Sequence, residues 1–300
     1  MAPPRASAGS GSQDTPREEV PSPDPDPATG VTEAGAPPDA AVPPSDARPP
    51  QPVVLVTQES LVVAGVARAF VLAAPREGAR ALVLALHGDG GDGGSFRADL
   101  PLDVATAAGA VVAYPSGAGR SWDLYTPTPD NADQAFLTAL VASLRARFAI
   151  DGARVFATGF SSGAFMVNQV ACRQPTLFRA IAAHGGGAPD EPEDPAATTW
   201  AGGYTRCAGQ TSGVPALVVH GEQDGVVSWD SGSYTARYWA AVDGCGTGQV
   251  AASGSFGLAG CVQAAACPAT TPVVFCSVPG LGHTLWGSAG ALTWAFFAGM

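Results

Sequence analysis

Residues 154–172, RVFATGFSSGAFMVNQVAC, constrain the fold of this chain more than any other stretch. Val155-Phe156-Ala157 are apolar and β-prone, and 164–172 is free of Gly and Pro. The segment therefore reads as a strand, a sharp turn and a helix. At the turn stands Gly159-Phe160-Ser161-Ser162-Gly163. Glycines at the two outer positions let strand and helix meet with no side chain between them, and the strained turn pushes a serine hydroxyl out of the backbone. The helix beginning beside Ser161 offers free N–H groups to a developing negative charge. With 38 Gly and 20 Ser in 300 residues, this pattern arises by chance about 0.3 times. Its weight comes from its strand–turn–helix setting; a bare Gly-rich turn is the bland alternative.

The surrounding sequence alternates strand and helix. Residues 61–72 read as strands or a hairpin, and 81–86 (ALVLAL) and 110–114 (AVVAY) as strands buried on both faces. Residues 102–108 are expected to be helical. Over 133–148, Phe136, Leu137, Leu140, Val141, Leu144 and Phe148 fall at helical spacing. Strands follow at 154–158, 178–183, 216–220 and 273–278, and helices at 162–172, 230–242 and near 290–298. Such alternation implies an α/β fold with a mostly parallel central sheet and helices on both faces. Residues 185–213 and 244–271 are Gly-rich and read as loops.

Residues 1–52 hold 14 of the 27 prolines and no Leu, Ile, Phe, Tyr or Trp. They cannot bury enough apolar surface to offset ordering entropy, so a disordered tail or linker is expected there. About 250 residues from 53 to 300 then suit one catalytic α/β domain. The net charge is −11, and all fifteen basic residues are Arg. Eight acids against three arginines lie in the tail, and the rest is mildly acidic, which argues against nucleic-acid binding.

The six cysteines, Cys172, Cys207, Cys245, Cys261, Cys267 and Cys276, form no C-x-x-C pair and no zinc pattern. An even number on a domain behind a spacer suggests up to three disulfides and an oxidising compartment, secreted or surface-tethered. No apolar signal core is visible in the first thirty residues, and no run approaches membrane-spanning length. The expectation is that a signal precedes the sequence as given.

In open α/β sheets chemistry gathers at the carboxyl ends of the strands. His87-Gly88-Asp89-Gly90-Gly91 follows 81–86, and Gly221-Glu222-Gln223-Asp224 follows 216–220. Gly280-Leu281-Gly282-His283 follows 273–278. A serine hydroxyl needs a base to take its proton, and an imidazole held by a carboxylate is the usual one. His87, His184 and His220 each precede glycine at a strand end, where imidazole commonly braces a turn. His283 alone sits in a loop after the last strand. The order Ser161, Asp224, His283 matches the Ser…Asp…His order of α/β-hydrolases. Glu222 and Asp230 are the rivals of Asp224. The oxyanion is expected to bind the backbone N–H of Ser162 and one from the His-Gly loop, Asp89 or Gly90. Trp122 and Trp286 are candidate walls of a substrate pocket, with burial in the core as the alternative.

Several segments together resemble the extracellular esterases of the polyhydroxybutyrate depolymerase, feruloyl esterase and acetylxylan esterase lineage (carbohydrate esterase family 1, including LpqC-like proteins). They are LALHGDGG at 84–91, YPSGAGRSWD at 114–123, IDGARVFATGFSSGAFM at 150–166 and ACRQPTLFRAIAAHGG at 171–186. VPALVVHGEQDGVV at 214–227 and GLGHTLWG at 280–287 complete the set. The resemblance spans nearly all of 61–300 and implies an α/β-hydrolase fold. It also implies Ser161 as nucleophile, His283 as base and Asp224 as the acid that orients it. It further implies Cys172–Cys207 and Cys245–Cys276 disulfides and leaves Cys261–Cys267 as the third. Two departures stand out: Trp286 lies one position later than the family's Trp, and Ala164 replaces a frequent glycine.

The leading expectation is a serine carboxylic-ester hydrolase acting on short acyl, hydroxyalkanoate or polysaccharide-linked acetyl or feruloyl esters. It would need no cofactor and no metal, and would act as a monomer without nucleic-acid partners. A serine peptidase of the same fold and a non-catalytic surface-binding protein are the alternatives.

Overall fold

The computed structural model describes residues 53–300 apart from 129, 190–196 and 258–259. The expected tail at 1–52 lies outside the described residues. The chain begins with strands β1 (Val54–Val63), β2 (Val66–Pro75) and β3 (Ala81–Leu86), then helices α1 (Gly93–Asp99) and α2 (Leu102–Ala105). Strand β4 (Ala110–Pro115), α3 (Ala132–Phe148), β5 (Val155–Phe160), α4 (Ser162–Arg173) and β6 (Ala180–His184) follow. After the short β7 (Thr198–Thr199) and β8 (Thr205–Arg206) come β9 (Ala216–Gly221) and α5 (Trp229–Val242). β10 (Gln249–Ala251), β11 (Cys261–Ala264), β12 (Val273–Val278) and α6 (Ala289–Ala298) complete it.

Ten strands form one sheet in the order β1-β2-β4-β3-β5-β6-β9-β12-β11-β10, while β7 and β8 pair separately. The run from β4 to β12 is parallel, and the outer strands at both edges are antiparallel. Why an unbroken apolar run makes such a strand is visible at β3. Its side chains alternate in direction, so Leu82, Leu84 and Leu86 enter the core on one face and Ala81, Val83 and Ala85 the core on the other. Helices α3, α4 and α5 cover the first face through residues such as Phe136, Val167 and Trp239. Helices α1, α2 and α6 cover the second through Phe96, Leu102 and Phe296. Asn131 caps α3 by accepting the Gln134 N–H at 2.9 Å.

β3 connects to β4 on one side and β5 lies on its other side, which makes a topological switch point between β3 and β5. Register brings the strand ends level there. Leu86 stands opposite Gly159, Phe160 opposite His184, and Val278 opposite Gly221.

Several elements differ from the sequence reading. The hairpin starts at Val54, earlier than 61. The helix expected over 102–108 is a single turn, because Ala107 and Ala108 adopt positive φ (45° and 65°). The two stretches read as loops also contain β7, β8, β10 and β11.

Cys172 bonds Cys207. The other implied pairings are corrected: Cys245 bonds Cys267, and Cys261 bonds Cys276. Cys261 and Cys276 are directly opposed on the antiparallel β11 and β12, so Cys276 has a nearer partner than Cys245. Backbone bonds from Gly246 N–H to the Ala265 carbonyl and from Ala265 N–H to the Gly248 carbonyl hold the Cys245 and Cys267 segments together. Among the described residues no helix is long and apolar enough to cross a membrane.

Candidate active site

Ser161 occupies the junction of β5 and α4 with φ 52° and ψ −123°. A non-glycine residue held in such a sparsely populated region costs about 1–3 kcal/mol, so its surroundings must enforce it. They do so through backbone bonds: the Ser161 N–H donates to the His184 carbonyl, and its own carbonyl accepts from Ala164 and Phe165. The flanking glycines are sterically required. A Cβ on Gly159 would lie 2.4 Å from the Gly163 carbonyl, and one on Gly163 would lie 2.3 Å from the Leu86 carbonyl oxygen. Ala164 fits because Gly186 faces it; a Cβ there would come within 2.5 Å of the alanine methyl.

His283 Nε2 lies 2.9 Å from Ser161 Oγ, and its Nδ1 lies 2.7 Å from Asp224 Oδ2. An ionised carboxylate can only accept, so Nδ1 carries the proton and Nε2 is free to accept from the serine hydroxyl. Asp224 Oδ1 accepts the Val226 and Val227 N–H groups, both at 2.9 Å, which fixes the carboxylate at the end of β9. Burial pushes the Asp224 carboxyl up, but donation from His283 and from these two amides outweighs it and holds the group below its ordinary value. Of the rivals, Glu222 accepts from Ser277 Oγ at 2.7 Å, and Asp230 lines the cavity beside Ser161 without bonding His283.

The other histidines brace the scaffold. His220 lies beneath the acid, its Nε2 donating to the Val227 carbonyl at 2.9 Å. His184 is fully buried against Thr293, and burial pushes it down to about 4, so it stays neutral. His87 accepts the Gly117 N–H on Nε2 at 2.9 Å, and its Nδ1 donates to the Gly88 carbonyl at 2.7 Å. Burial lowers its pKa and favours this neutral form.

Residues 117–122 clasp the 87–91 loop. The Trp122 indole N–H donates to the His87 carbonyl at 2.8 Å, and Ser121 Oγ donates to Asp89 Oδ1 at 2.6 Å. Arg120 donates its guanidinium to the Gly90 carbonyl, and its own carbonyl accepts the Gly90 N–H at 2.8 Å. That bond occupies the Gly90 N–H, which removes Gly90 as an oxyanion donor. The Asp89 N–H has no backbone acceptor among the described residues, and Asp89 lines the same cavity as Ser161 and Ser162. Of the residues expected to serve an oxyanion, Asp89 and Ser162 remain as candidates.

A cavity of about 750 Å³ opens beside Ser161. Neither tryptophan lines it. Trp122 is 4% exposed and packs against the His87 ring, with centroids 5.0 Å apart. Trp286 packs half-buried against the core under α6. The walls come instead from Leu124, Tyr125, Phe165, Val226 and Tyr234. Phe165 was findable, since it stands four residues after Ser161 on α4, on the same helix face. Tyr125 and Val226 carry no such signal, because they lie in connecting loops. No group of three or more His, Cys, Asp or Glu is gathered as metal ligands among the described residues.

An acetyl xylan esterase from Aspergillus awamori superposes on 80% of this chain and 99% of its own, with a TM-score of 0.65 at 18% identity. The chain has the α/β-hydrolase fold. Residues 96–189 match the model of the prolyl oligopeptidase family, less than half of the chain but including the elbow. A protein of Nocardia uniformis subsp. tsuyamanensis bearing an esterase name, NocK, is 31% identical over 58% of this chain and 50% of its own length. Feruloyl esterase C of Emericella nidulans is 27% identical over 72% of this chain and 77% of its own. The chain therefore spans half of the bacterial relative and about three quarters of the fungal one.

Proposed function

We propose that this protein is a serine carboxylic-ester hydrolase. The observation that carries the reading is the unbroken hydrogen-bond series from Asp224 through His283 to Ser161, set on a strained elbow. Ser161 Oγ attacks the ester carbonyl as its proton passes to His283 Nε2. Asp224 stabilises the imidazolium so formed. The oxyanion accepts from the Ser162 and Asp89 N–H groups. Collapse breaks the bond to the alcohol oxygen, which takes the proton back from His283. Water then repeats the sequence on the acyl-enzyme and releases the acid.

The feruloyl esterase name of the fungal relative supports an ester bond as the target. The acyl groups within this reading are short acyl, hydroxyalkanoate, and polysaccharide-linked acetyl or feruloyl. Three disulfides support a location outside the reducing cytosol, secreted or surface-tethered. The match to the prolyl oligopeptidase family favours peptidase activity as the second reading.

The test is a burst of p-nitrophenol from short acyl esters, with a fluorophosphonate adduct mapped to Ser161. Ser161→Ala is expected to lose at least about 10³-fold in kcat with its fold retained. Near-normal turnover in that variant removes the elbow assignment. Cleavage of prolyl p-nitroanilides without ester turnover moves the reading to the peptidase.

A further inference from the structure

Among the described residues, two cavities border the reacting atoms. The larger contains Ser161 and both candidate oxyanion donors, Ser162 and Asp89, but not His283. A second, of about 410 Å³, contains His283 and Asp89 but not Ser161. This division has a chemical meaning. The acyl group stays bonded to Ser161 after the first half-reaction, so it must occupy space reached from Ser161. The leaving alcohol must receive its proton from His283 Nε2 as the C–O bond breaks, so it must lie on the side that His283 bounds.

We infer that the cavity between α1 and the His283 loop is the alcohol subsite, and that it takes an uncharged polyhydroxylated alcohol. The inference rests on the ester-hydrolase reading above and deepens it. The subsite's floor is apolar, formed by Phe96 and Phe160, and the Phe160 ring packs on His283 at 4.9 Å between centroids. Around that floor stand hydrogen-bonding groups, the carboxylates of Asp89 and Asp99 and the hydroxyl of Ser95. Asp89 already accepts from Ser121, and Ser95 is engaged with Asp92 in the cap of α1. Asp99, the last residue of α1, is exposed and makes no ion pair among the described residues. It is therefore the carboxylate available to accept from substrate hydroxyls, with charge-assisted strength. Among the described residues no Lys or Arg lines the cavity, so an anionic alcohol meets two carboxylates with no permanent cation to offset them.

Ester pairs that differ only in the alcohol test this on the full-length protein. 1-Acetylglycerol and propyl acetate share the acyl group and the three-carbon alcohol skeleton, and differ in two hydroxyls. The wild type is expected to favour 1-acetylglycerol by about tenfold in kcat/KM, and Asp99→Ala to bring that ratio close to one. O-Acetylglycolate, with an anionic alcohol, is expected to be at least tenfold poorer than 1-acetylglycerol, and Asp99→Lys to close that gap. The acyl-side control compares p-nitrophenyl butyrate with p-nitrophenyl hemisuccinate, whose charge lies on the acid. Asp99→Lys is expected to leave that ratio within about twofold of wild type. If Asp99 substitutions move the acyl-side ratio and not the alcohol-side ratio, the two arms are exchanged and the inference is overturned. If they move neither ratio while p-nitrophenyl acetate is still hydrolysed, the subsite is wrong and the ester-hydrolase reading stands. Absence of turnover on every ester, in folded wild-type protein, overturns both.

Discussion

Replacing Asp224 by Asn changes one atom of the site and should reverse the direction of its proton path. The carboxylate accepts three hydrogen bonds, two from the Val226 and Val227 amides on Oδ1 and one from His283 on Oδ2. Asparagine has the same size, and its carbonyl oxygen can keep both backbone bonds. Its NH2 then faces His283 Nδ1. Two N–H groups cannot point at each other, so the imidazole adopts the other tautomer, with Nδ1 accepting. Nε2 now carries the proton, at 2.9 Å from Ser161 Oγ, and cannot take another. Loss of the base by the wrong tautomer costs about 10⁴-fold in kcat in serine hydrolases of this type. At 1.36 kcal/mol per tenfold, that is about 5 kcal/mol of transition-state stabilisation. The assay is kcat and KM on p-nitrophenyl butyrate, with circular dichroism to show that the fold persists. Glu222→Gln is the control, because that side chain serves Ser277 and not His283; it should stay within about threefold of wild type. An Asp224→Asn variant that keeps more than a tenth of wild-type kcat, or a Glu222→Gln variant that loses as much as Asp224→Asn, refutes the assignment of the acid.

Gly163→Ala should cost about 2 kcal/mol or more and much of the activity, because its Cβ meets the Leu86 and His87 carbonyl oxygens, which no side-chain rotation can move; an unchanged urea midpoint would remove the steric explanation. The Cys172–Cys207 bridge spans 35 residues, so paired alanine substitution should destabilise by about 4 kcal/mol in chain-entropy terms. Non-reducing peptide mapping should recover Cys245–Cys267 and Cys261–Cys276 links, and a Cys245–Cys276 peptide would contradict the fold at that edge. Asp243, at the end of α5, is buried with neither oxygen hydrogen-bonded among the described residues, and burial pushes its carboxyl up to about 8. Between pH about 4 and about 8 the unfolded chain releases this proton while the folded chain keeps it, so wild-type stability falls across that window by a few kcal/mol. Asp243→Asn should flatten this contribution, and parallel thermal-stability profiles for the two proteins would rule it out.

The arrangement of the candidate site was readable because its signals are local and ordered. The elbow declares itself through two glycines and a serine between a strand and a helix, and Asp224 and His283 through their places just after buried strands. What escaped reading depends on partners distant in sequence. Trp122 stands near the site along the chain, yet the His87 carbonyl draws its indole inward. Asp89 and Gly90 are equivalent as letters, and only the Arg120 carbonyl, thirty residues on, separates them by occupying one N–H. The cysteine pairing failed for a related reason. β10 and β11 are three and four residues long and partly alanine, too short for periodicity to register, so the register that opposes Cys261 to Cys276 was invisible.

His283 lies 122 positions beyond Ser161 and 59 beyond Asp224, and it follows the last strand of the parallel run. The proposed base therefore joins the site only when β12 docks on β9, and β12 is the last strand of the sheet to leave a growing chain. A growing chain can form its elbow and its acid turn while still lacking any means to deprotonate Ser161. On the proposed mechanism, hydrolytic competence is then a property of the finished sheet, and the appearance of turnover during refolding would time the docking of its final parallel strand.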